Sequence, residues 1–202
     1  RRSVAARRAG IGALFGIVQG GTDPALRRRS AEEIGALGFD GFALGGLSVG
    51  EDKDAMAETV ALSAPLLPRD RPRYLMGVGE PGDVVAAIGE GIDLFDCVFP
   101  TRVARNGLAL TKRGRVVIRN AEAAGQDGPV DEGCACPACT RYGRAYLRHL
   151  IHAGEITGMR LLTLHNLSYM RDLMAAARAA IRAGTFASFR REQLSIWRSP
   201  PA

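Results

Sequence analysis

Aromatic residues are scarce in this chain, at 6% of 202 residues with a single tryptophan. No apolar run reaches the length needed to cross a bilayer, so no membrane partner is expected. The basic opening Arg1-Arg2-Ser3-Val4 is followed by no apolar stretch of signal-peptide type, and nothing in it points to export. Neither Gly20-Gly21 nor Gly77-Val78-Gly79 completes a dinucleotide or phosphate-loop fingerprint. Internal repeats and low-complexity tracts are missing too. There are only 4 cysteines, three of them crowded together, which suits a metal in a reducing, cytoplasmic compartment better than a disulfide framework. Acidic residues are absent from residues 101–120, a stretch that holds Arg102, Arg105, Lys112, Arg113, Arg115 and Arg119. Such a block suits a polyanion, because each neutralised phosphate releases counterions; a solvated loop face is the plainer alternative.

Much of what is present is apolar. Hydrophobic residues make up 47% of a chain of net charge +6, a size and composition that fit one α/β domain rich in Ala, Leu and Gly. Four short apolar runs recur: Leu14-Phe15-Gly16-Ile17-Val18, Gly41-Phe42-Ala43-Leu44, Tyr74-Leu75-Met76 and Ile92-Asp93-Leu94-Phe95. Bounded by turn signals, they read as buried parallel strands. Helical patterns lie between them at residues 24–37, opened by Asp23-Pro24, and at 51–67 and 81–88. The order β-α-β-α-β-α-β is half of an eight-stranded β/α barrel, with an open doubly wound sheet as the alternative. Gln19, Gly45-Gly46, Gly77-Val78-Gly79 and Asp96 all fall at or just after strand C-terminal ends. That is where barrel enzymes build their sites, and it favours the barrel.

Beyond Pro100 the pattern changes. Residues 107–118 alternate around Lys112-Arg113-Gly114-Arg115 and read as a β-hairpin. A Gly/Asp/Pro-containing loop covers 121–133, and helical patterns cover 141–153 and 167–183. Cys134-Ala135-Cys136-Pro137-Ala138-Cys139 is a C-x-C-x-x-C knuckle, three soft ligands for one zinc in a closed tetrahedral site. Spacing leaves the fourth ligand open among His149, His152 and His165; an iron–sulfur cluster more often recruits a fourth cysteine.

Asp96, between Phe95 and Cys97, is a carboxylate in an apolar strand, and a buried carboxylate is costly unless paired or used. Its functional reading is nucleophile, base or acid; its structural reading is an ion pair with Arg102 or Arg105. Asp93 is expected to cap or pair, and Cys97 to be a packed core thiol.

Taken together, these residues resemble bacterial tRNA-guanine transglycosylase, the queuine tRNA-ribosyltransferase family. The resemblance rests on Phe15-Gly16-Ile17-Val18-Gln19-Gly20-Gly21, on the run from Gly41 through Gly45-Gly46-Leu47-Ser48-Val49-Gly50-Glu51, on Tyr74-Leu75-Met76-Gly77-Val78-Gly79, and on Asp93-Leu94-Phe95-Asp96-Cys97-Val98-Phe99-Pro100-Thr101-Arg102. It continues from Cys134 through Tyr146-Leu147-Arg148-His149-Leu150 to Leu161-Leu162-Thr163-Leu164-His165-Asn166-Leu167.

The resemblance implies the C-terminal half of a (β/α)8 barrel of TIM type with an inserted zinc-binding subdomain, divided as residues 1–106, 107–166 and 167–202. It implies exchange of guanine at the tRNA wobble position for 7-aminomethyl-7-deazaguanine. Asp96 matches the nucleophile. Gln19, Gly45, Gly46, Leu47 and Met76 match the base-binding positions. Gly77, Val78, Gly79, Glu80, Pro81, Gly82 and Asp83, with Thr101, Arg102, Val103, Ala104 and Arg105, match tRNA-contacting segments. Cys134, Cys136, Cys139 and His165 match the ligands of one structural zinc. The partners implied are tRNA through its anticodon loop, the 7-deazaguanine base, and a second copy of the full-length protein. The family carries a further acid/base aspartate in the other barrel half, so the chain is expected to be a fragment, inactive alone. A non-catalytic zinc and RNA-binding accessory subunit is the rival from another class. An archaeal-type relative is a second rival, disfavoured by the short tail after Gly184.

Overall fold

A computed structural model describes residues 2–7, 10 and 12–198 of the chain. The outermost ends of the expected segments 1–106 and 167–202 therefore lie outside the described residues. The chain divides into two compact units, Arg1–Gly79 with Asp83–Cys97, and Glu80–Gly82 with Val98–Ala202.

The first unit carries a short helix α1 (Arg2–Ala5) and four strands, β1 (Phe15–Val18), β2 (Gly41–Leu44), β3 (Arg73–Leu75) and β4 (Leu94–Phe95). All three pairings are parallel and the spatial order is β1-β2-β3-β4, the sequential order expected of repeated crossovers. The crossovers are helices α2 (Pro24–Gly35), α3 (Lys53–Ser63) and α4 (Pro81–Gly89). Asp23 starts α2 by accepting the N–H groups of Ala25 and Leu26 at 2.8 and 2.9 Å, with proline at the first helical position.

Strand register divides the sheet into two faces. Ile17, Ala43, Tyr74 and Leu94 are paired across the four strands and share one face. Val18, Leu44, Leu75 and Phe95 are paired on the other. The second face meets the helices, where Val18, Phe42, Leu44, Leu75, Met56 and Val60 form one core. Each such side chain contributes about 1.5–3 kcal/mol on burial. The first face is less covered, with Ile17 39% and Leu94 44% exposed.

In the second unit, helix α5 (Phe99–Arg105) leads into a hairpin of β5 (Leu108–Thr111) and β6 (Gly114–Val117), paired antiparallel with Thr111 opposite Gly114. Helices α6 (Pro137–Arg141), α7 (Arg144–His152), α8 (Ile156–Arg182) and α9 (Phe186–Arg198) complete it. Ala104, Ala109, Ile118, Val130, Leu147, Ile151 and Leu162 fill its core.

Three helix expectations are corrected. The helix expected over 51–67 is α-helical only over Lys53–Ser63. Asp52 caps its start, and a 3-10 turn at Ala64–Leu66 takes over at Pro65, which has no N–H for the helical ladder. The helix expected over 141–153 is two helices, broken at Tyr142, whose backbone is extended, and Gly143. A Cβ at Gly143 would lie 2.5 Å from the Asp127 carbonyl oxygen. The helix expected over 167–183 begins eleven residues earlier, at Ile156. Its buried stripe runs through Gly158, Leu161, Leu162, His165, Asn166, Tyr169 and Leu173. Two polar residues inside that stripe disguise its period in the sequence. His165 is therefore in the middle of a helix and not at its start.

Candidate active site and metal centre

The knuckle and α8 build a metal centre in the second unit. Cys134, Cys136, Cys139 and His165 offer ligand atoms that all lie within 4.8 Å of one another. His165 Nδ1 is 3.7, 3.5 and 3.3 Å from the Sγ atoms of Cys134, Cys136 and Cys139. Tetrahedral zinc with ordinary bond lengths requires S···N edges of about 3.6 Å, so the donor set fits one zinc ion.

The histidine's protonation is set from behind. Its Nε2 lies 2.9 Å from the Leu110 carbonyl oxygen, which can only accept, so Nε2 carries the proton and Nδ1 presents its lone pair to the sulfurs. Burial pushes His165 below the usual imidazole range and so favours the neutral ligand form. Burial also pushes the Cys139 thiol up to about 12, and raises Cys134. Without a cation these sulfurs would stay protonated; a divalent ion supplies the charge that ionises them.

The two other candidate histidines are elsewhere. His149 is exposed, and His152 Nε2 meets the Arg119 carbonyl oxygen at 3.0 Å. Asn166, to which the sequence reading gave no role, ties α8 to the hairpin. It accepts from Leu110 N–H at 2.9 Å and donates to the carbonyls of Pro100 and Leu108 at 2.9 and 3.0 Å.

In the first unit, Asp96 stands just past β4 and is exposed, not buried as its apolar neighbours suggest. Its period-2 position puts it on the face of Tyr74 and Leu94, away from the helix-packed core. The Tyr74 hydroxyl donates to Asp96 Oδ1 at 2.5 Å and the Gly77 N–H donates to the same oxygen at 2.9 Å. These bonds hold the carboxyl below its usual range, the Tyr74 bond contributing most, and push Tyr74 up to about 12. Asp93, expected to cap or pair, caps: its Oδ2 accepts the backbone N–H of Arg73 at 2.9 Å. Cys97 is half-buried over Gly79, where an added Cβ would lie 2.3 Å from the Cys97 Cβ.

The C-terminal ends of β1 and β2 are joined by a residue that sequence reasoning missed. Arg27 on α2 is fully buried. Its guanidinium donates to the carbonyls of Gly21 at 2.7 Å, Val18 at 3.2 Å, Gly45 at 2.9 Å and Gly46 at 3.5 Å. Burial lowers its pKa, and Glu51 opposes that shift.

Above this platform the Gln19 amide packs against the two glycines. A Cβ at Gly45 would meet Gln19 Nε2 at 2.6 Å, and one at Gly46 would meet Gln19 Oε1 at 2.5 Å. Gln19 is an exposed side chain that could move aside, but Gly46 also has φ of +67°, a conformation that strains any residue with a Cβ. Leu47 is buried in the first core and Met76 is half-buried. Met76 N–H donates to the Leu44 carbonyl at 3.3 Å and Gly45 N–H to that of Val18 at 3.0 Å, fastening the three strand ends together.

Gly77 to Asp83 and Thr101 to Arg105 differ within themselves. Gly77 is exposed, Val78, Gly79, Pro81 and Gly82 are buried, and Asp83 pairs with Lys53 at 3.2 Å. Arg102 and Arg105 are exposed, Thr101 and Val103 half-buried, and Ala104 fully buried. The basic block does not act as one surface. Arg115 pairs with Glu80 and lies 5.4 Å from the centre of the Trp197 ring, and Arg119 is bound to the Asn106 carbonyl oxygen.

A family model described as queuine tRNA-ribosyltransferase matches residues 1–199. Among curated relatives, a queuine tRNA-ribosyltransferase of Sorangium cellulosum is 58% identical over 96% of this chain and 49% of its own length. One of Thiobacillus denitrificans is 57% identical over 93% of this chain and 51% of its own. One of Thermus thermophilus is 55% identical over 95% and 50%. The chain thus spans about half the length of the curated relatives it matches.

Proposed function

The chain belongs to the queuine tRNA-ribosyltransferase family, and on that premise we propose that it carries the nucleophile and base-reading parts of a tRNA-guanine transglycosylase. The full-length enzyme exchanges guanine at the tRNA wobble position for 7-aminomethyl-7-deazaguanine. The observation that supports this most is the shared face of Gln19, Gly45, Met76 and Asp96. All four follow the period of one sheet face, past the C-terminal ends of consecutive parallel strands. In this reading that face is the inside of a (β/α)8 barrel, and exposed Ile17 and Leu94 pack against strands from the rest of the family's length. Segments 1–106, 107–166 and 167–202 are then barrel half, zinc subdomain and closing helices.

The target nucleotide leaves its stack to reach the site, which a single-stranded anticodon loop permits. The Gln19 amide offers a donor and an acceptor to the purine edge, and the side-chain-free Gly45-Gly46 backbone lets the base approach. Leu47 and Met76 shape the pocket. Asp96 attacks ribose C1′ as guanine departs through an oxocarbenium-like state, and a second base displaces the carboxylate, retaining configuration. Arg102 and Arg105 contact tRNA phosphates, and the segment Gly77 to Asp83 contacts tRNA as well. Zinc, held by Cys134, Cys136, Cys139 and His165, is structural. The enzyme works as a homodimer in the cytoplasm.

The test is Asp96→Asn in the full-length enzyme. The variant is expected to bind tRNA and keep its zinc, yet form no denaturation-resistant tRNA adduct and exchange no radiolabelled guanine. An adduct from Asp96→Asn would remove Asp96 as nucleophile. Failure of the unsubstituted enzyme to form one would favour an accessory zinc and RNA-binding subunit.

A further inference from the structure

Tyr74 has no part in the steps above, yet it makes the shortest contact to the reacting carboxylate. Its hydroxyl and the Gly77 N–H both donate to Oδ1 of Asp96, at 2.5 and 2.9 Å, and Oδ2 is held by neither. The tyrosine is placed independently of that bond. Its backbone is paired with Leu94 in the sheet, and its ring meets Phe15 edge-on, with centroids 6.3 Å apart and planes at 90°.

Resting on the reading of Asp96 as nucleophile, we propose that Tyr74 is a positioning residue which, with Gly77, reserves Oδ1 as the spectator oxygen. Attack then runs through Oδ2, and the same two donors govern how readily the carboxylate leaves again.

In the first half, Oδ2 forms a bond to ribose C1′ as the C1′–N9 bond to guanine breaks. The bonding pair leaves on N9, which takes a proton from solvent. Asp96 is now an ester with Oδ1 as its carbonyl oxygen, a weaker acceptor than a carboxylate. In the second half, the incoming base loses its N9 proton to solvent and attacks C1′. The C1′–Oδ2 pair returns to Asp96, whose charge is again shared with Oδ1. A hydrogen bond to a charged acceptor is roughly twice as strong as one to a neutral acceptor. Tyr74 and Gly77 therefore stabilise the carboxylate more than the ester. They restrain the attack somewhat and assist the departure.

Tyr74→Phe tests this, because it keeps the ring against Phe15 and removes only the hydroxyl. In the full-length enzyme, the tRNA adduct is trapped on denaturing gels at a series of guanine concentrations, and its formation and resolution are timed. The ratio of formation to resolution is expected to rise about tenfold, with resolution slowed and formation not slowed. An unchanged ratio, whether both rates fall together or neither moves, overturns the proposal. Asp96→Asn run alongside separates the two readings: an adduct there overturns the nucleophile itself, whereas no adduct there with an unchanged ratio in Tyr74→Phe overturns only the role of Tyr74.

Discussion

At the residue scale, the chemistry of the site depends on which atoms hold each polar group. Asp96 is exposed, so its carboxyl is held below the usual range by hydrogen bonding rather than shaped by burial, the Tyr74 hydroxyl and the Gly77 N–H both donating to Oδ1. The pair has a defined pH window. A depressed carboxylate stabilises the fold above its unfolded pKa, and that contribution is lost as pH falls through the lower folded value. Tyr74 is raised to about 12, so its contribution is present below its unfolded value near 10 and is lost as pH climbs through about 12. The hydrogen bond thus persists across neutral pH. Carboxyl-detected NMR is expected to find Asp96 titrating below the ordinary carboxylate range, and Tyr74→Phe is expected to move that titration up toward it. An Asp96 titration that ignores Tyr74→Phe would contradict the assignment.

At the element scale, α8 ties the second unit together. Consecutive residues on it do different work: His165 faces the sulfurs and the Leu110 carbonyl, while Asn166 satisfies three backbone groups of α5 and β5. Zinc therefore fastens the knuckle to a helix already bound to the hairpin, and metal affinity becomes folding energy for this unit. Cys136→Ser and His165→Ala are each expected to lose zinc and to lower the unfolding temperature of the second unit by several degrees or more. His149→Ala, at an exposed position, is expected to keep both. Metal analysis with thermal unfolding checks this, and full zinc in His165→Ala would exclude that ligand.

At the scale of the whole molecule, charge matters through where the tertiary structure leaves it. Net charge is +6, but Arg115 and Arg119 of the basic block are spent on Glu80, Trp197 and the Asn106 carbonyl. Arg102 and Arg105, exposed on α5, are the cations to which we assign phosphate contacts. Alanine at both is expected to weaken tRNA binding by the full-length enzyme. It should also flatten the dependence of log affinity on log salt by about one per lost contact. Titrations across a salt series measure this, and an unchanged slope would take both arginines out of the interface. Among the described residues, no helix is long and apolar enough to cross a membrane.

The sequence alone determined the alternation of strand and helix, because short apolar runs, the Asp23-Pro24 cap and glycine punctuation are local signals. It determined three ligands of the metal centre, because thiols so close together can meet one ion. The tertiary structure decided the rest. The choice among three histidines depended on α8 starting at Ile156, hidden by His165 and Asn166 inside its buried stripe. The exposure of Asp96 depended on strand parity, which local composition does not reveal: Phe95 faces the core and Asp96 the opposite side. Tyr74 and Arg27 show the same limit most plainly. Tyr74 reaches Asp96 across 22 positions, and Arg27 binds carbonyls 6 to 19 positions away. Hydrogen bonds formed by chain crossover leave no periodic mark in the sequence, and only the register of the strands brings their partners together.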